Sequence, residues 1–334
     1  RQYYELALKL SAAVQAGRWT RIKDGGFMYS FNGPHSLFVD TVRTCRILML
    51  GHALGHYLPG EHDEKISLLN RALEHLESTA RYCVFYGQDR DRWDVRGRTA
   101  HECIFNINDG HYRCPNSQQG YSGFTTWTRG LSWAILGFAE ELEFLHTRAQ
   151  SEFSDAMEKN RVHSLLLEAA KATCDFYIEN TPVDGIPYWD TGAPELYKLG
   201  DYLDQKADPF NKYEPVDSSA AAITAQGLLR LGQFLKQNKA LGDWERYFRA
   251  GLTVLDRLLE EPYLSTDPEH QGLLLHSIYH QPNAWDYIPE KGTVAHGESC
   301  MWGDYHMREL VLYTQNLILN KPYYAFFNCL NIAP

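Results

Sequence analysis

The sequence PVDSSAAAITAQGLLRLGQFL, residues 215–235, is the stretch that decides the fold class of this chain. Its apolar residues recur every three or four positions, which is the spacing of one face of an α-helix. Asp217 stands just ahead of that repeat, where an N-cap carboxylate accepts hydrogen bonds from free backbone N–H groups. The stretch therefore predicts a helix with Asp217 at its N-cap.

The same helical spacing continues in both directions along the chain. Alternating apolar and polar residues are scarce, so strands are expected only as minor hairpins near residues 26–31 and 272–279. The predicted fold class is all-α. At least eight helices are predicted, around residues 6–14, 42–55, 66–83, 135–145, 166–177, 221–235, 248–258 and 307–317.

Helical pairs follow one another at intervals of about fifty residues, separated by long loops. The loops at 86–127, 181–216 and 261–302 are rich in Gly, Pro, Trp, Tyr and Asp. This pattern favours an α/α toroid whose pocket opens where the loops gather. A closed ring of six pairs needs more helices than these, so we expect the chain to lack its first hairpins. With no linker in view, residues 1–334 are expected to form one domain.

Composition narrows the classes of function. With 44% apolar and 22% charged residues, the chain is expected to be globular. Thirty-two basic residues against 42 acidic ones give a net charge of −10, without any basic block, which argues against a nucleic-acid partner. A negatively charged ligand would then have to be small and be met by a local Arg.

Compartment and redox state are only weakly indicated. The seven cysteines are scattered without a CxxC pair, so they are expected to be small buried hydrophobes in a reducing environment. No apolar run is long enough for a membrane span, and the first residues look helical rather than like a signal peptide. We therefore predict no membrane association and a place in the cytoplasm or periplasm. The oligomeric state is left open.

A candidate sugar-binding site lies between residues 101 and 133. Indole rings stack on the C–H face of pyranose rings, His and Gln bind hydroxyls, and an Arg fork matches a carboxylate. Taken singly, each Trp is equally expected in the core, and Arg129 is more readily explained as a surface ion pair at a helix start. The candidates are His101, Gln119, Trp127, Arg129 and Trp133.

Asp40 is the candidate catalytic acid. It follows the apolar run Leu37–Val39 in GPHSLFVDTVRT, residues 33–44. Burial there would raise its pKa and keep it protonated near neutral pH, as a general acid requires. Local sequence alone favours an N-cap or a partner for Arg43. By the same local reading, Asp304 is expected to be structural rather than catalytic.

No cofactor is predicted from the sequence. His52 and His56 stand one helical turn apart, but no third ligand accompanies them, so a surface pair is expected rather than a metal site. Motifs for phosphate, dinucleotide or acyl-transfer chemistry are also missing from the sequence.

Taken in order, the motifs resemble those of the unsaturated glucuronyl hydrolases, glycoside hydrolase family 88. Their order and spacing are specific, whereas any one motif alone is weak. The resemblance runs through SLFVDTVRT (36–44), His101, QQGYSGFTTWTRGLSW (118–133), DGIPYWD (184–190), PVDSSAAAITAQGLL (215–229), SIYH (277–280) and WGDYHMREL (302–310).

The resemblance implies an (α/α)6 toroid that removes a 4,5-unsaturated uronic acid from the non-reducing end of lyase-generated oligosaccharides. The reaction hydrates an enol ether, so one proton shuttle suffices, and no metal or organic cofactor is used. Asp40 corresponds to the acid/base residue of that family. The residues corresponding to its substrate pocket are His101, Gln119, Trp127, Arg129 and Trp133, with His280 further downstream.

The sequence departs from the family in two ways. The family has a second Asp ahead of the helix that corresponds to residues 3–16, and no such segment occurs in this sequence. The family also carries an Asp in the turn before WTRG, where this chain has Gly123 followed by Phe124. Together with insertions at 86–97 and 195–214, this change is expected to alter the pocket rim.

Two other readings of the sequence stay open. The chain could be another α/α-toroid sugar enzyme, an epimerase or an ordinary glycosidase, which would place two acid/base groups on one ring. It could also be a non-catalytic carbohydrate-binding protein that keeps the pocket. The natural polysaccharide and its linkage are not predicted.

Overall fold

The computed structural model describes residues 2–238 and 242–321, which contain eight α-helices and seven short strands. This composition confirms the all-α class. The strands are β1 Trp19–Ile22, β2 Gly25–Met28, β3 Ser36–Phe38, β4 Leu58–Pro59, β5 Lys65–Ile66, β6 Glu102–Phe105 and β7 Tyr112–Asn116. The helices are α1 Gln2–Gly17, α2 Cys45–Ala53, α3 Leu68–Ser78, α4 Thr128–Thr147, α5 Ala156–Glu179, α6 Ser218–Gln237, α7 Glu245–Leu258 and α8 Met301–Ile318.

Helices α4 and α6 form the centre of the packing. Helix α6 is buried on nearly all sides and contacts α4, α7 and α8, while α4 also contacts α5. Gly227 permits the closest approach, because a Cβ there would lie 2.9 Å from the backbone of Leu136. The backbones of α4 and α6 therefore touch, which fixes the two helix N-termini side by side.

A short 3₁₀ segment, Val39–Thr44, packs on α4 ahead of α2. Gly137 makes room for it, since a Cβ at that position would lie 2.6 Å from the side chain of Val42. Strand β3 leads into the segment and pairs with β6, and Val39 N–H donates to the carbonyl of His101 at 2.9 Å. The sheet thereby places the backbone of Val39, the residue before Asp40, against that of His101.

Two local expectations were wrong. The helix expected from residue 42 to 55 begins as the 3₁₀ segment and becomes α-helical only at Cys45. Residues 272–279 form no strand beyond an isolated bridge between Leu264 and Leu274. In α1 Leu6, Leu10 and Val14 are exposed, while Ala12 and Ala16 are buried. A Cβ at Gly51 of α2 would lie 2.9 Å from the Cβ of Ala12, so only a small side chain fits there.

The described helices do not close into a complete barrel. None of them, within residues 2–238 and 242–321, combines the length and apolar character that a membrane crossing demands. The six cysteines in the described ranges are free, and Cys45, Cys83, Cys103 and Cys174 are buried as expected. Cys114 is exposed and Cys300 is half-buried, so the expectation was wrong for Cys114. Cys329 lies outside the described residues.

Candidate active site

Asp40 lies inside the 3₁₀ segment and does not cap a helix. Arg43 does not pair with it either, because the guanidinium of Arg43 donates to the buried carboxylate of Glu140. Both local alternatives for Asp40 are therefore wrong. Its side chain is partly exposed, but Oδ1 is buried without a hydrogen-bond partner in the described part of the chain. Burial raises the pKa of Asp40 from 3.8 to about 6, although backbone N–H groups and Arg129 oppose the rise.

His101 is a neutral hydrogen-bond donor in this structure. Its Nδ1 accepts from the backbone N–H groups of Gln118 and Gln119, at 3.1 and 3.2 Å, so the proton resides on Nε2. Burial, with the nearby charges of Arg129 and His280, lowers the pKa of His101 to about 3. Nε2 is buried and has no partner among the described residues. A buried N–H without a partner costs free energy unless a ligand meets it.

Arg129 lies in the first turn of α4, and its side chain binds three other parts of the chain: Asp217, the loop at 278–279 and Gln119. Its Nη1 donates to Asp217 Oδ2 at 2.8 Å and to the carbonyl of Ile278. Its Nη2 donates to Gln119 Oε1 at 3.0 Å and to the carbonyl of Tyr279. The side chains of Arg129 and Asp217 are almost fully buried, so the surface ion pair suggested by local sequence is wrong. Because four Nη–H donors serve protein acceptors, only Nε–H is left for a further partner.

Gln119 is oriented by that contact. Since its Oε1 accepts from Arg129, its amide Nε2 must point away from the guanidinium and is a donor. The sequence predicts that Gln119 lines the pocket. The structure shows that its contact with Arg129 fixes the direction of its donor end.

Aromatic rings extend on both sides of Arg129. The guanidinium lies 4.6 Å from the ring of Trp127 and 5.1 Å from that of Trp302. Trp127 in turn lies 4.4 Å from the ring of His101. Trp127 is nearly fully buried, so it is part of the core and also forms one wall of the site. Such faces suit the C–H surface of a sugar.

His280 and Trp133 lie at the periphery of this group. His280 Nδ1 is buried without a partner in the described ranges, and its ring lies 4.7 Å from Trp285. The backbone N–H of His280 donates to Asp286 Oδ2 at 2.8 Å. Trp133 is one turn along α4 from Arg129 and packs edge-on against the ring of His306, 5.1 Å away.

The sequence reading missed the full part played by Asp217. It caps α6 as predicted, through the N–H groups of Ser219 and Ala220, and it also binds Arg129. Trp302 appears in the sequence only as the first residue of the motif WGDYHMREL, yet its ring lies beside Arg129 and its Nε1–H donates to Ser219 Oγ at 3.1 Å. Asp304 has the structural role expected for it, since its carboxylate accepts from the N–H groups of residues 273 and 274.

The arrangement is suited to proton transfer from a single acid. Asp40 supplies a carboxyl with a raised pKa, His101 a neutral N–H donor, and Arg129 a fixed positive charge near both. Among the described residues no group of three or more His, Cys, Asp and Glu is placed to hold a metal ion.

Gly120→Ala is expected to lower kcat/KM for the substrate of this site by at least about tenfold, because small displacements of groups that position a substrate lower the rate by that much or more. A Cβ at Gly120 would lie 2.7 Å from the Cβ of Trp127 and 2.8 Å from Asp190 Oδ2. The turn carrying Gln119 must shift to relieve these contacts. Steady-state kinetics compared with Gly17→Ala, where a Cβ meets nothing within 4 Å, measure the effect. Equal kinetics for the two variants would contradict the expected tight packing.

Two curated proteins with the same name are similar to this chain in sequence. The chain matches no model of a known protein family. The unsaturated glucuronyl hydrolase of Bacillus sp. strain GL1 is 28% identical over 223 residues, which are 66% of this chain and 48% of that protein. The enzyme of that name from Formosa agariphila is 27% identical over 252 residues, 75% of this chain and 49% of the relative.

Solved structures share the fold. The crystal structure of the unsaturated glucuronyl hydrolase from Bacillus sp. GL1 has a TM-score of 0.67 at 24% identity and covers 94% of this chain and 70% of that chain. This likeness confirms the predicted α/α toroid class. The sequence matches span about half the length of the two curated relatives. In sequence, in fold and in the order of its motifs, the chain is similar to the unsaturated glucuronyl hydrolases of glycoside hydrolase family 88.

Proposed function

We propose that this protein is a glycoside hydrolase that removes a 4,5-unsaturated uronic acid from the non-reducing end of lyase-generated oligosaccharides. Its partner would be the oligosaccharide itself, and the reaction would need no cofactor. The names of the curated relatives support this proposal.

One observation carries the proposal. Asp40 is a partly exposed carboxyl with a buried, unpartnered oxygen and a pKa of about 6, next to a neutral His101 whose Nε2–H also has no partner in the described chain. A direct glycosidic displacement uses two opposed carboxyl groups. Hydration of an enol ether needs only one group that gives a proton and then takes one back.

In the proposed reaction, neutral Asp40 protonates C4 of the C4=C5 double bond. The ring oxygen stabilises the resulting cation at C5. Ionised Asp40 then removes a proton from the water that attacks C5, and Asp40 returns to its neutral form. The hemiketal that results opens by itself and releases the next sugar.

The neighbouring residues would bind and orient the uronate ring. His101 Nε2–H and the donor end of Gln119 would bind oxygen atoms of the substrate, and Trp127 would lie against its apolar face. Arg129 would contribute its charge and one remaining N–H, while its other donors hold the site together. Trp133 and His280 would lie further out.

The test is incubation of the protein with lyase-generated unsaturated disaccharide while the absorbance of the enol ether is followed. Loss of absorbance with release of the second sugar is expected. Tight binding by calorimetry without turnover would instead favour the non-catalytic carbohydrate-binding alternative.

His101→Phe is expected to lower kcat/KM by about 100-fold, the effect of removing one well-placed donor at a reacting centre. The substitution keeps an aromatic ring beside Trp127 and removes Nε2–H, together with the Nδ1 acceptor of the Gln118 and Gln119 N–H groups. Because the pKa of His101 is about 3, the histidine is neutral throughout the working range. The loss should therefore be the same at pH 5.5 and pH 7.5 in steady-state assays. A loss confined to one pH would show that His101 titrates and would refute the donor role.

A further inference from the structure

A second cavity, of about 340 Å³, opens beside the candidate active site. We call it the distal pocket. Its volume suits a single sugar unit better than a whole oligosaccharide. Its walls include Tyr121, Trp189, Glu195, Tyr213, Glu214 and Gln281.

Two segments of chain connect the walls of the distal pocket to the candidate active site. Tyr121 stands two residues after Gln119, and Gln281 directly follows His280. Since consecutive Cα atoms are 3.8 Å apart, each pair is separated by no more than about 7 Å. That distance is about one pyranose unit. A chain of sugars leaving the site past Gln119 and His280 would therefore enter the distal pocket.

The pocket walls are held in place by buried hydrogen bonds. Glu214 is buried, and its two oxygens accept from Trp189 Nε1 at 2.8 Å and from the N–H of Glu195 at 2.7 Å. On the opposite wall, the N–H of Tyr121 donates to Asp190 Oδ2 at 2.8 Å. The pocket is therefore preformed, which reduces the entropy cost of binding.

The charges on the residues that line the distal pocket favour an uncharged ligand. Among the described residues that line the distal pocket, Glu195 and Glu214 carry carboxylates and none is Lys or Arg. The nearby Lys198 is paired with Glu195 and lies 5.4 Å from the ring of Tyr213. A sulfate or carboxylate on the ligand would face like charge without a cation to meet it. The half-exposed rings of Tyr121 and Tyr213 instead suit the C–H face of a neutral sugar.

We propose that the distal pocket binds a neutral sugar of the leaving oligosaccharide, beyond the sugar directly bonded to the unsaturated uronate. This inference rests on the proposed function and adds a preference for chain length and for charge. Three of its eight lining residues, Glu195, Tyr213 and Glu214, come from the insertion at 195–214, so this part of the preference belongs to this chain's own sequence.

The test compares an unsaturated disaccharide with an unsaturated tetrasaccharide whose other three sugars are neutral. Tyr213→Ala is expected to lower kcat/KM for the tetrasaccharide about fivefold more than for the disaccharide, as expected for loss of one stacked ring. The matched control is Tyr197→Ala, a more exposed tyrosine of the same insertion that does not line the pocket. This control should leave the ratio of the two substrates unchanged.

Titration calorimetry of the same sugars into Asp40→Asn protein gives dissociation constants without turnover. A tetrasaccharide sulfated on its leaving sugars should bind the distal pocket at least about fivefold more weakly than the neutral one. Equal kcat/KM ratios for the two tyrosine variants, or equal affinity for sulfated and neutral tetrasaccharides, would overturn the inference. Failure of the proposed function is a separate result, namely no turnover of the disaccharide by the unaltered protein.

Discussion

Asp40→Asn is expected to lower kcat by about 10³-fold or more, since the amide can neither donate a proton to carbon nor accept one from water. In the unaltered enzyme the protonated form of Asp40 starts the reaction. With a pKa of about 6, that form is lost as the pH rises, so kcat/KM should fall about tenfold per pH unit above pH 6. Assays from pH 4.5 to pH 8.5 measure both effects. Full activity in Asp40→Asn would refute the proposed mechanism.

The same substitution is expected to stabilise the fold at high pH. The folded-state pKa of Asp40 is raised from 3.8 to about 6, so the stability cost of ionising it is absent below about pH 4. The cost grows as the pH rises towards 6 and then stays constant, at about 3 kcal/mol. Urea unfolding at pH 4 and pH 8 should show the advantage of Asp40→Asn only at pH 8. An equal advantage at both pH values would contradict the raised pKa.

Arg129→Met is expected to lower the free energy of unfolding by roughly 3–5 kcal/mol, because removing one partner leaves a buried charge unpaired. The stranded group is Asp217, and the carbonyls of Ile278 and Tyr279 lose their donors as well. The positive charge also lowers the pKa of Asp40, so in any remaining activity the fall at high pH should move to higher pH.

Arg249→Met is the matched control for that measurement. Arg249 also pairs with a carboxylate, Glu245 at 2.7 Å, but it is 78% exposed. An exposed pair of this kind contributes about 0.5 kcal/mol or less. Similar losses for the two variants in urea unfolding would show that Arg129 and Asp217 do not form the buried pair described above.

Much of the fold follows from local patterns. Helical spacing predicted the eight helices, and Asp217 was recognised as an N-cap because its partners, Ser219 and Ala220, are its neighbours in sequence. Helical spacing does not decide which side of α1 is buried, since the choice between its Leu and Ala faces depends on how closely Gly51 of α2 allows the helix to approach.

The site was less accessible to sequence reasoning, for a physical reason. Residue types indicated a sugar pocket, but the contacts that set its chemistry join distant parts of the chain. Asp217 lies 88 residues from Arg129, and Ile278 lies 149 residues from it. Local sequence accordingly favoured a surface pair for Arg129 and a cap for Asp40. Only the folded chain shows that both are enclosed.

The burial of Asp40 in the 3₁₀ segment that packs on α4 makes its raised pKa a property of the assembled fold. In an unfolded chain Asp40 has the pKa of an ordinary aspartate, 3.8, and about 0.1% of it is protonated at pH 7. In the assembled structure about 10% is protonated. Partly folded intermediates therefore lack the acid even when Asp40 is present. Catalytic competence should appear late in refolding, together with the packing of the 3₁₀ segment on α4 rather than with the first helical signal.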